Sequence, residues 1–230
     1  LINNKIKLIF CDEKHNPAGE MMPYYGAFNT SKKILKQINW KEERKDLIWQ
    51  QIIKNKIHNQ AMVLKELKIE NYEKLLEFET QVLPGDKTNR EGHAAKVYFN
   101  LLFGRKFIRG ENDNINSSLD YGYAIILSTM NKEIVSKGYI TQLGINHKSE
   151  FNQFNLACDL MEPFRPLVDK IVYENCNLEL NKNQKYKLID VLNNKIEIGH
   201  KEQYVGNAIP IYIQSVFDAL ENEKESKILN

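Results

Sequence analysis

The chain has 230 residues, which is enough for one medium-sized domain with a buried core. Its 32 lysine and arginine residues nearly balance its 30 aspartate and glutamate residues, so the net charge of +2 does not by itself indicate a nucleic-acid partner. No apolar run approaches the ~18 residues of a membrane-spanning helix, so no membrane association is expected. Three cysteines, Cys11, Cys158 and Cys176, lack C-x-x-C spacing, which argues against a zinc site or a disulfide framework. We expect reduced thiols in a cytoplasmic protein, with Cys11 and Cys158 buried.

The first 25 residues differ in pattern from the rest of the chain. Ile6–Phe10 alternates and then becomes continuously apolar, which predicts a strand. The turn-rich link Cys11–Gly19 follows, and Glu20–Pro23 is compatible with a short return strand. We place a boundary near Gly26.

Beyond this boundary, apolar residues recur at helical spacing. The predicted helices are Thr30–Ile38, Trp40–Ile69, Asn71–Gln81, Thr88–Phe103, Ser117–Ser136, Gln153–Glu174, Asn181–Asn194 and Lys201–Glu221. The helix at 117–136 is apolar nearly all round and is predicted to be the central buried one, whereas Lys195–Gly199 is predicted to be a turn. The fold class is therefore mainly α with a short β segment at the N-terminus.

Glu91 has two interpretations. Thr88 and Glu91 match a capping box, in which Thr88 caps the helix and Glu91 reaches back to the cap N–H. The alternative is a metal-binding carboxylate one turn inside the helix. His93 cannot readily be its partner, because residues two apart on a helix point in nearly opposite directions.

The segment 144–174 is the second candidate region. It contains His147 in a polar turn, followed by an apolar helical pattern into which Glu162, Arg165 and Asp169 are set on one face. One interpretation is a helix that restarts at Pro163, with Arg165 as the ion-pair partner of Glu162. The other is a metal site, because two carboxylates and one imidazole suit Mg²⁺ or Mn²⁺ better than zinc.

Basic residues are concentrated between positions 32 and 56, where the local net charge is +5. Such a cluster is either a solvated helix face or a phosphate-binding patch. Its members are Lys32, Lys33, Lys36, Lys41, Arg44, Lys45, Lys54 and Lys56, against Glu42, Glu43 and Asp46.

Three segments carry a resemblance to a known family. They are NREGHAAKVYFNLLFG at 89–104, LDYGYAIILS at 119–128 and QFNLACDLMEPFRPLVD at 153–169. In order and spacing they resemble the CRISPR-associated endonuclease family that integrates new spacers, the first-numbered Cas protein. The likeness is closest to the branch that accompanies type II, single-effector systems.

The resemblance implies a site and a domain organisation. In that family a glutamate, a histidine and a second acidic residue bind a divalent cation, here Glu91, His147 and Glu162 with Mg²⁺ or Mn²⁺. The family subunit has an N-terminal β domain and a helical C-terminal domain that holds the site. Residues 1–25 would then be the remnant of the β domain with its linker, and 26–230 the α-helical catalytic domain. The chain begins at Leu1 and not at a methionine, so we expect a missing upstream segment, and with it an impaired ability to integrate.

The resemblance also implies a reaction and partners. A DNA 3′-hydroxyl would attack a phosphodiester at the edge of a CRISPR repeat, with double-stranded spacer and repeat DNA as substrates. The intact protein would be a homodimer that assembles with a small CRISPR-associated partner protein. We predict DNA contacts for Arg90, Arg165 and the basic cluster, including Lys32, Lys33 and Lys36. The alternatives are a non-catalytic helical scaffold that binds DNA or protein, and a metal-dependent nuclease without integration.

Overall fold

The structure is a computed structural model that describes residues 8–13, 17–21, 29–175, 180–222 and 227–229. Within these residues it is mainly helical, with two separate two-stranded antiparallel sheets. The predicted fold class is confirmed. The predicted boundary near Gly26, like Cys176, lies outside the described residues.

The N-terminal β segment is a hairpin of β1 (Leu8–Cys11) and β2 (Pro17–Met21). The return strand therefore begins earlier than predicted and takes in part of the supposed link. Cys11 is exposed, so its predicted burial is wrong, and Cys158 is half-buried; both thiols are free. The physical reason is that, in the described part of the chain, no other element packs extensively against this hairpin, so its faces stay open.

The helical body follows the predicted order with adjusted ends. Its helices are α1 (Thr30–Ile38), α2 (Glu42–Glu66), α3 (Glu73–Thr80), α4 (Arg90–Phe103), α5 (Asn114–Ser136), α6 (Asn155–Met161), α7 (Arg165–Glu174), α8 (Lys182–Ile189) and α9 (Val205–Glu221). Short 3₁₀ turns lie at Pro84–Asp86, Glu162–Phe164 and Asp190–Asn193. The single helix predicted over 153–174 is thus divided into α6 and α7 by a 3₁₀ turn that contains Pro163, because proline cannot donate the N–H that a continuous helix needs.

Two helices organise the core. α5 packs against α6, α7, α8 and α9, as expected of a central buried helix. α2 packs against α3, α4, α6, α7, α9 and the 3₁₀ turn at 162–164. The buried face of α2 carries Trp49, Ile52, Ile53, Ile57 and Leu64, which recur at helical spacing. This helix crosses both chain segments in which the sequence places candidate ligands.

The region after α8 departs from the prediction. β3 (Lys195–Ile198) and β4 (Lys201–Tyr204) form a hairpin in place of a turn and the first turn of a helix, and α9 begins only at Val205. Gly199 and His200 both have positive φ, 56° and 63°, as a two-residue hairpin loop requires. Ile196 and Ile198 alternate with Lys195 and Glu197, so the local period is that of a strand.

Residues 227–229 return to the helical body. The backbone N–H of Ile228 donates to Gln51 Oε1 of α2 (3.1 Å), and that of Leu229 to Ser215 Oγ of α9 (3.1 Å). Ile228 itself is buried. Across the described ranges, none of the helices combines the length and apolar character that a membrane crossing demands.

Candidate functional site

Glu91 lies in the first turn of α4, but the cap of this helix differs from the predicted one. Asn89, in a left-handed conformation, is the N-cap, and its side chain accepts from the Gly92 N–H (3.2 Å). Asp86 accepts from the N–H groups of Arg90 (2.8 Å) and Glu91 (3.0 Å). The capping box of Thr88 and Glu91 is therefore wrong, because two other side chains already satisfy these donors. The Glu91 carboxylate is left for another partner.

Glu162 lies at the start of the 3₁₀ turn between α6 and α7, with only 4% of its side chain exposed. Its Oε1 accepts from Arg165 Nε at 2.8 Å, the ion pair that the sequence offered as one alternative. α2 holds this turn in place, since Asn59 Nδ2 donates to the carbonyl oxygen of Pro163 (2.8 Å). Local chain geometry thus buries a carboxylate against α2.

Lys56 of α2 joins the two glutamates. Its Nζ lies 2.6 Å from Glu91 Oε1 and 2.5 Å from Glu162 Oε2, and only 10% of the lysine side chain is exposed. Glu162 Oε2 is itself buried, so its ion pair with Lys56 is shielded from water. Two glutamates from distant segments therefore share one cation.

The charges in this cluster change each other's acidity. Burial by itself would raise the pKa of Glu162, but the positive charges of Lys56 and Arg165 outweigh it and lower that pKa to about 2. Burial would likewise lower the pKa of Lys56, but the charges of Glu162 and Glu91 raise it above its ordinary value. Both partners are consequently ionised at neutral pH.

His147 is held by a buried carboxylate. Its Nδ1 lies 2.6 Å from Asp159 Oδ1, and Asp159 also accepts from the backbone N–H groups of Ile145 (2.6 Å), Asn146 (3.0 Å) and His147 (3.1 Å). A Cβ on Gly144 would come within 2.7 Å of Asp159 Oδ2 and 2.4 Å of the His147 carbonyl oxygen, so only glycine allows the loop to wrap so closely. The loop and the orientation of the imidazole are both determined by Asp159.

His147 lies within electrostatic reach of the two glutamates. The hydrogen bond to Asp159 raises the pKa of His147 against the opposing effect of burial, and the charges of Glu162 and Glu91 add to the increase. The imidazole remains 43% exposed, and the Trp49 ring of α2 meets it edge to face with centroids 5.9 Å apart. A histidine whose Nδ1 is occupied by a carboxylate presents Nε2, which is how histidine ligands of metals are commonly held.

The chemistry of this donor set suits a divalent cation. Two carboxylates and one imidazole are suitable ligands, and an ammonium already bridges the carboxylates where a shared cation is required. In the placement observed, however, no three histidine, cysteine, aspartate or glutamate side chains of the described residues are close enough together to hold an ion. The ligand types therefore suit a divalent cation, but the three side chains would have to move closer together to bind it. The assignment of Glu91, His147 and Glu162 as ligands remains a prediction.

A second buried network extends from Arg165. Its guanidinium lies 4.6 Å from the centroid of the Tyr123 ring, and the Tyr123 hydroxyl donates to Asp169 Oδ1. Glu162, Arg165 and Asp169 thus share one side of the 162–169 segment, as their spacing predicted. Arg165 is held between a carboxylate and an aromatic face, which gives it a defined orientation.

The residues predicted to contact DNA are distributed unevenly. Lys33 Nζ donates to the Lys137 carbonyl (2.6 Å) and Lys36 pairs with Glu221, so both help to attach α1 to the helical body. Lys32 is exposed. The guanidinium of Arg90 lies 6.0 Å from the centroid of Phe78, and its Nε is buried without a hydrogen bond in the described part of the chain. Lys56 does not belong to a surface patch at all, since it is buried in the site.

Sequence reasoning missed Lys56 and Asp159 as site residues. The available signal for Lys56 was its position on the apolar face of α2, beside Ile52, Ile53 and Ile57. A lysine at such a position is rarely buried unless it is paired. Asp159 is likewise a lone acid within the apolar run of α6. Neither signal names the partner, because the partners come from distant segments.

Comparison with known proteins identifies the family. The family described as "CRISPR associated protein Cas1" matches residues 1–191. A CRISPR-associated endonuclease Cas1 from Neisseria meningitidis is 38% identical over 229 residues, covering 96% of this chain and 75% of the relative. The chain therefore belongs to the Cas1 family. A second relative, from Francisella tularensis, is 31% identical over 57% of this chain and 45% of its own length.

Solved structures show the same fold at lower identity. One described as "Casposase bound to integration product" has a TM-score of 0.82 and 21% identity, covering 99% of this chain and 75% of that one. A CAS1 protein from Thermotoga maritima has a TM-score of 0.73 and 18% identity, covering 97% of this chain and 81% of that one. A Cas6-RT-Cas1–Cas2 complex matches with a TM-score of 0.75 and 22% identity, over 99% of this chain and 29% of that one.

Proposed function

We propose that this chain supplies the active site of a DNA integrase and endonuclease that depends on Mg²⁺ or Mn²⁺ and inserts new spacers into a CRISPR array. The observation that carries the proposal is the convergence of Glu91 and Glu162 on a single cation, Lys56, although the three residues come from α4, the 162–164 turn and α2. Membership of the Cas1 family and the endonuclease names of its relatives support the proposal.

The ligands would be Glu91, His147 and Glu162. Glu162 is kept ionised by its neighbours, and Asp159 holds the imidazole of His147 so that Nε2 is presented. When bound, the ion supplies Lewis-acid polarisation of a phosphoryl oxygen and stabilises negative charge at the reacting centre. His147 is proposed as a ligand only.

The proposed strand transfer forms one phosphorus–oxygen bond and breaks another, so it needs no further reactant. The oxygen of a DNA 3′-hydroxyl forms a new bond to phosphorus and loses its proton, while the existing phosphorus–oxygen bond at the repeat edge breaks and its oxygen gains a proton. With water in place of the hydroxyl, the same exchange is DNA hydrolysis. Arg165 is oriented by Glu162 and Tyr123 at the edge of the site, where a guanidinium can donate to phosphate oxygens.

DNA and protein partners follow from the same proposal. Double-stranded spacer and repeat DNA would be the substrates, with Lys32 and Arg90 as further contacts to the phosphate backbone. We also propose that the intact protein is a homodimer and assembles with a small CRISPR-associated partner. A structural neighbour described as a Cas6-RT-Cas1–Cas2 complex supports a partner of that kind.

Glu91→Gln tests the proposed site. The amide lacks the anionic oxygen that a hard divalent cation prefers, so this variant should lose most of the Mn²⁺-induced increase in melting temperature. A ligand that binds only the folded state stabilises it by about 2.7 kcal/mol at one hundred times its dissociation constant. The metal-free melting temperature should fall only modestly, because Glu162 still neutralises Lys56. DNA cleavage and strand transfer should be lost together with the Mn²⁺ effect, and His147→Ala should behave in the same way.

Glu73→Gln is the matched control. Glu73 is an exposed glutamate in the first turn of α3, so this variant changes a comparable position outside the site. It should keep both the Mn²⁺ effect and the activity. If Glu91→Gln also keeps both, the role of Glu91 is limited to its ion pair with Lys56 and the proposed metal site is wrong. A chain that binds DNA, but does not bind Mn²⁺ and performs no DNA chemistry, would instead be a helical scaffold.

A further inference from the structure

Around Lys56, the charges of four neighbouring side chains balance one another. Lys56 and Arg165 carry two positive charges, and Glu91 and Glu162 carry two negative ones. Glu162 is almost fully buried and Glu91 is 27% exposed, so water contributes little to the neutralisation of Glu162. A divalent cation that entered this cluster would create a large uncompensated positive charge unless one of the cations moved away.

Lys56 is the cation that can move. Its ammonium lies within 2.6 Å of one oxygen from each glutamate, which is the space that an ion shared by these oxygens needs. The ammonium ends a flexible four-carbon stem, so it can take up another position. Arg165, in contrast, is fixed by its hydrogen bond to Glu162 and by the Tyr123 ring.

We propose that Lys56 is a built-in counter-cation that occupies the position between Glu91 and Glu162 when the metal is absent and must be displaced when Mg²⁺ or Mn²⁺ binds. This inference rests on the proposed function. Lys56 then has two opposite effects. It stabilises the metal-free protein by neutralising two carboxylates, and it weakens the binding of the metal by competing for them.

Lys56→Met separates these effects. Methionine keeps a long unbranched side chain and removes the charge. The metal-free melting temperature should fall, because Glu91 and Glu162 then face each other without their shared cation. The affinity for Mn²⁺ alone, measured by titration calorimetry, should rise. A neighbouring unit charge changes the affinity of a charged site for a proton by about ten- to a thousandfold, and we expect an increase within this range. Mn²⁺ should also raise the melting temperature of the variant more than that of the wild type.

Two further variants define the comparison. Lys54→Met removes a lysine from the same helix that is only half-buried, and it should change neither the metal-free melting temperature nor the Mn²⁺ affinity appreciably. The double variant Lys56→Met/Glu91→Gln should regain metal-free stability, since one of the two repelling carboxylates is neutral, but should not bind Mn²⁺ tightly. A role for Lys56 in packing alone would lower stability in the single variant without any gain in Mn²⁺ affinity.

Each outcome has a defined meaning. Tighter Mn²⁺ binding by Lys56→Met than by the wild type supports the inference, as does binding by the variant alone. Binding by the wild type with equal or weaker binding by the variant overturns the inference and leaves the proposed function intact. The absence of Mn²⁺ binding in both overturns the inference and the proposed metal dependence together. If Lys56→Met does not fold without metal, it is refolded in the presence of Mn²⁺, and the milder Lys56→Gln variant is measured in the same way. If Mn²⁺ restores the fold of neither variant, the inference is overturned.

Discussion

At the scale of single residues, Asp169 shows how burial controls acidity close to the site. It is fully buried on α7, where the Tyr123 hydroxyl donates to its Oδ1 and the Tyr98 hydroxyl also interacts with the carboxylate. Burial raises the pKa of Asp169 to about 6, and the hydrogen bonds from Tyr123 and Tyr98 oppose this only in part. The unfolded chain has an aspartate pKa of about 3.9. The folded protein therefore retains this proton in a pH range in which the unfolded chain has released it.

Asp169→Asn should remove the resulting pH dependence. As pH rises from about 4 to about 6, the wild type loses stability because the folded state must give up a proton that it binds more tightly than the unfolded state. Asparagine cannot titrate and can still accept from Tyr123. Above pH 6 the variant should therefore be more stable than the wild type by on the order of 2 kcal/mol, and at pH 4 the two should be similar. Urea denaturation at pH 4, 5, 6 and 7 measures this.

The control for this prediction is Asp190→Asn, which removes an exposed carboxylate. It should leave the slope of unfolding free energy against pH nearly as in the wild type. Parallel curves for Asp169→Asn and the wild type between pH 4 and pH 6 would show that Asp169 is ionised throughout that range, contrary to the prediction.

At the scale of helices, α5 and α7 approach each other closely at Gly122. A Cβ at this position would lie 2.3 Å from Val168 Cγ1, far inside van der Waals contact. Val168 is β-branched and has few alternative rotamers, so it cannot easily turn aside. The contact matters for the site because α7 follows the turn that begins at Glu162, and α7 itself begins with Arg165.

Gly122→Ala should therefore destabilise the protein although alanine is the better helix former. The gain in helix propensity is about 1 kcal/mol, whereas overpacking of a core costs about 1–3 kcal/mol and here requires α5 and α7 to separate. We expect a net loss of stability in chemical denaturation. Adding Val168→Ala should recover part of that loss, with a coupling energy of about 0.5–3 kcal/mol in the double-mutant cycle.

Gly206→Ala provides the comparison. Gly206 lies in the first turn of α9, where a Cβ would meet its nearest neighbour, the Leu192 carbonyl oxygen, at an ordinary 3.4 Å. This variant should be neutral or slightly stabilising. If Gly122→Ala behaves in the same way, helix separation at this point costs little and the packing argument fails.

At the scale of the whole molecule, residues 227–229 connect α2 and α9. Ile228 is 7% exposed and Leu229 is 39% exposed, although the two are adjacent. Their backbone N–H groups reach different helices, with Ile228 bonded to α2 and Leu229 to α9. This short segment therefore contributes to the stability of the helix that carries Lys56.

Ile228→Ala should lower the free energy of unfolding by roughly 2 kcal/mol, the lower end of the cost of removing a buried isoleucine side chain. Leu229→Ala should cost less than about 1 kcal/mol because the side chain is already partly in water. Urea denaturation compares the two variants. An unchanged m-value would show that each variant exposes the same amount of surface on unfolding as the wild type. Equal losses from the two variants would mean that the segment is not docked as described.

The order of helices was predictable because it depends on local periodicity. Apolar residues three and four apart select one helix face, and this information is contained within about a dozen residues. The ends were less predictable where side chains compete for the same donors, as at α4, where Asp86 and Asn89 cap the helix in place of Thr88. The β3–β4 hairpin was missed because its two-residue loop has the uncommon sequence Gly199-His200, which lacks the strong asparagine-glycine signal.

Residue type and position made Glu91, His147 and Glu162 possible ligands, but only the family motifs favoured them over the structural alternatives, and family membership is confirmed. Their surroundings depend on how distant segments cross. Lys56 reaches both glutamates because α2 lies against α4 and the 162–164 turn, and Asp159 holds His147 because α6 packs beneath the 145–147 loop. Helix periodicity shows which face of α2 is buried, but it does not show which residues of other segments lie next to that face. The packing of the helices alone determines that a buried lysine lies between the two carboxylates.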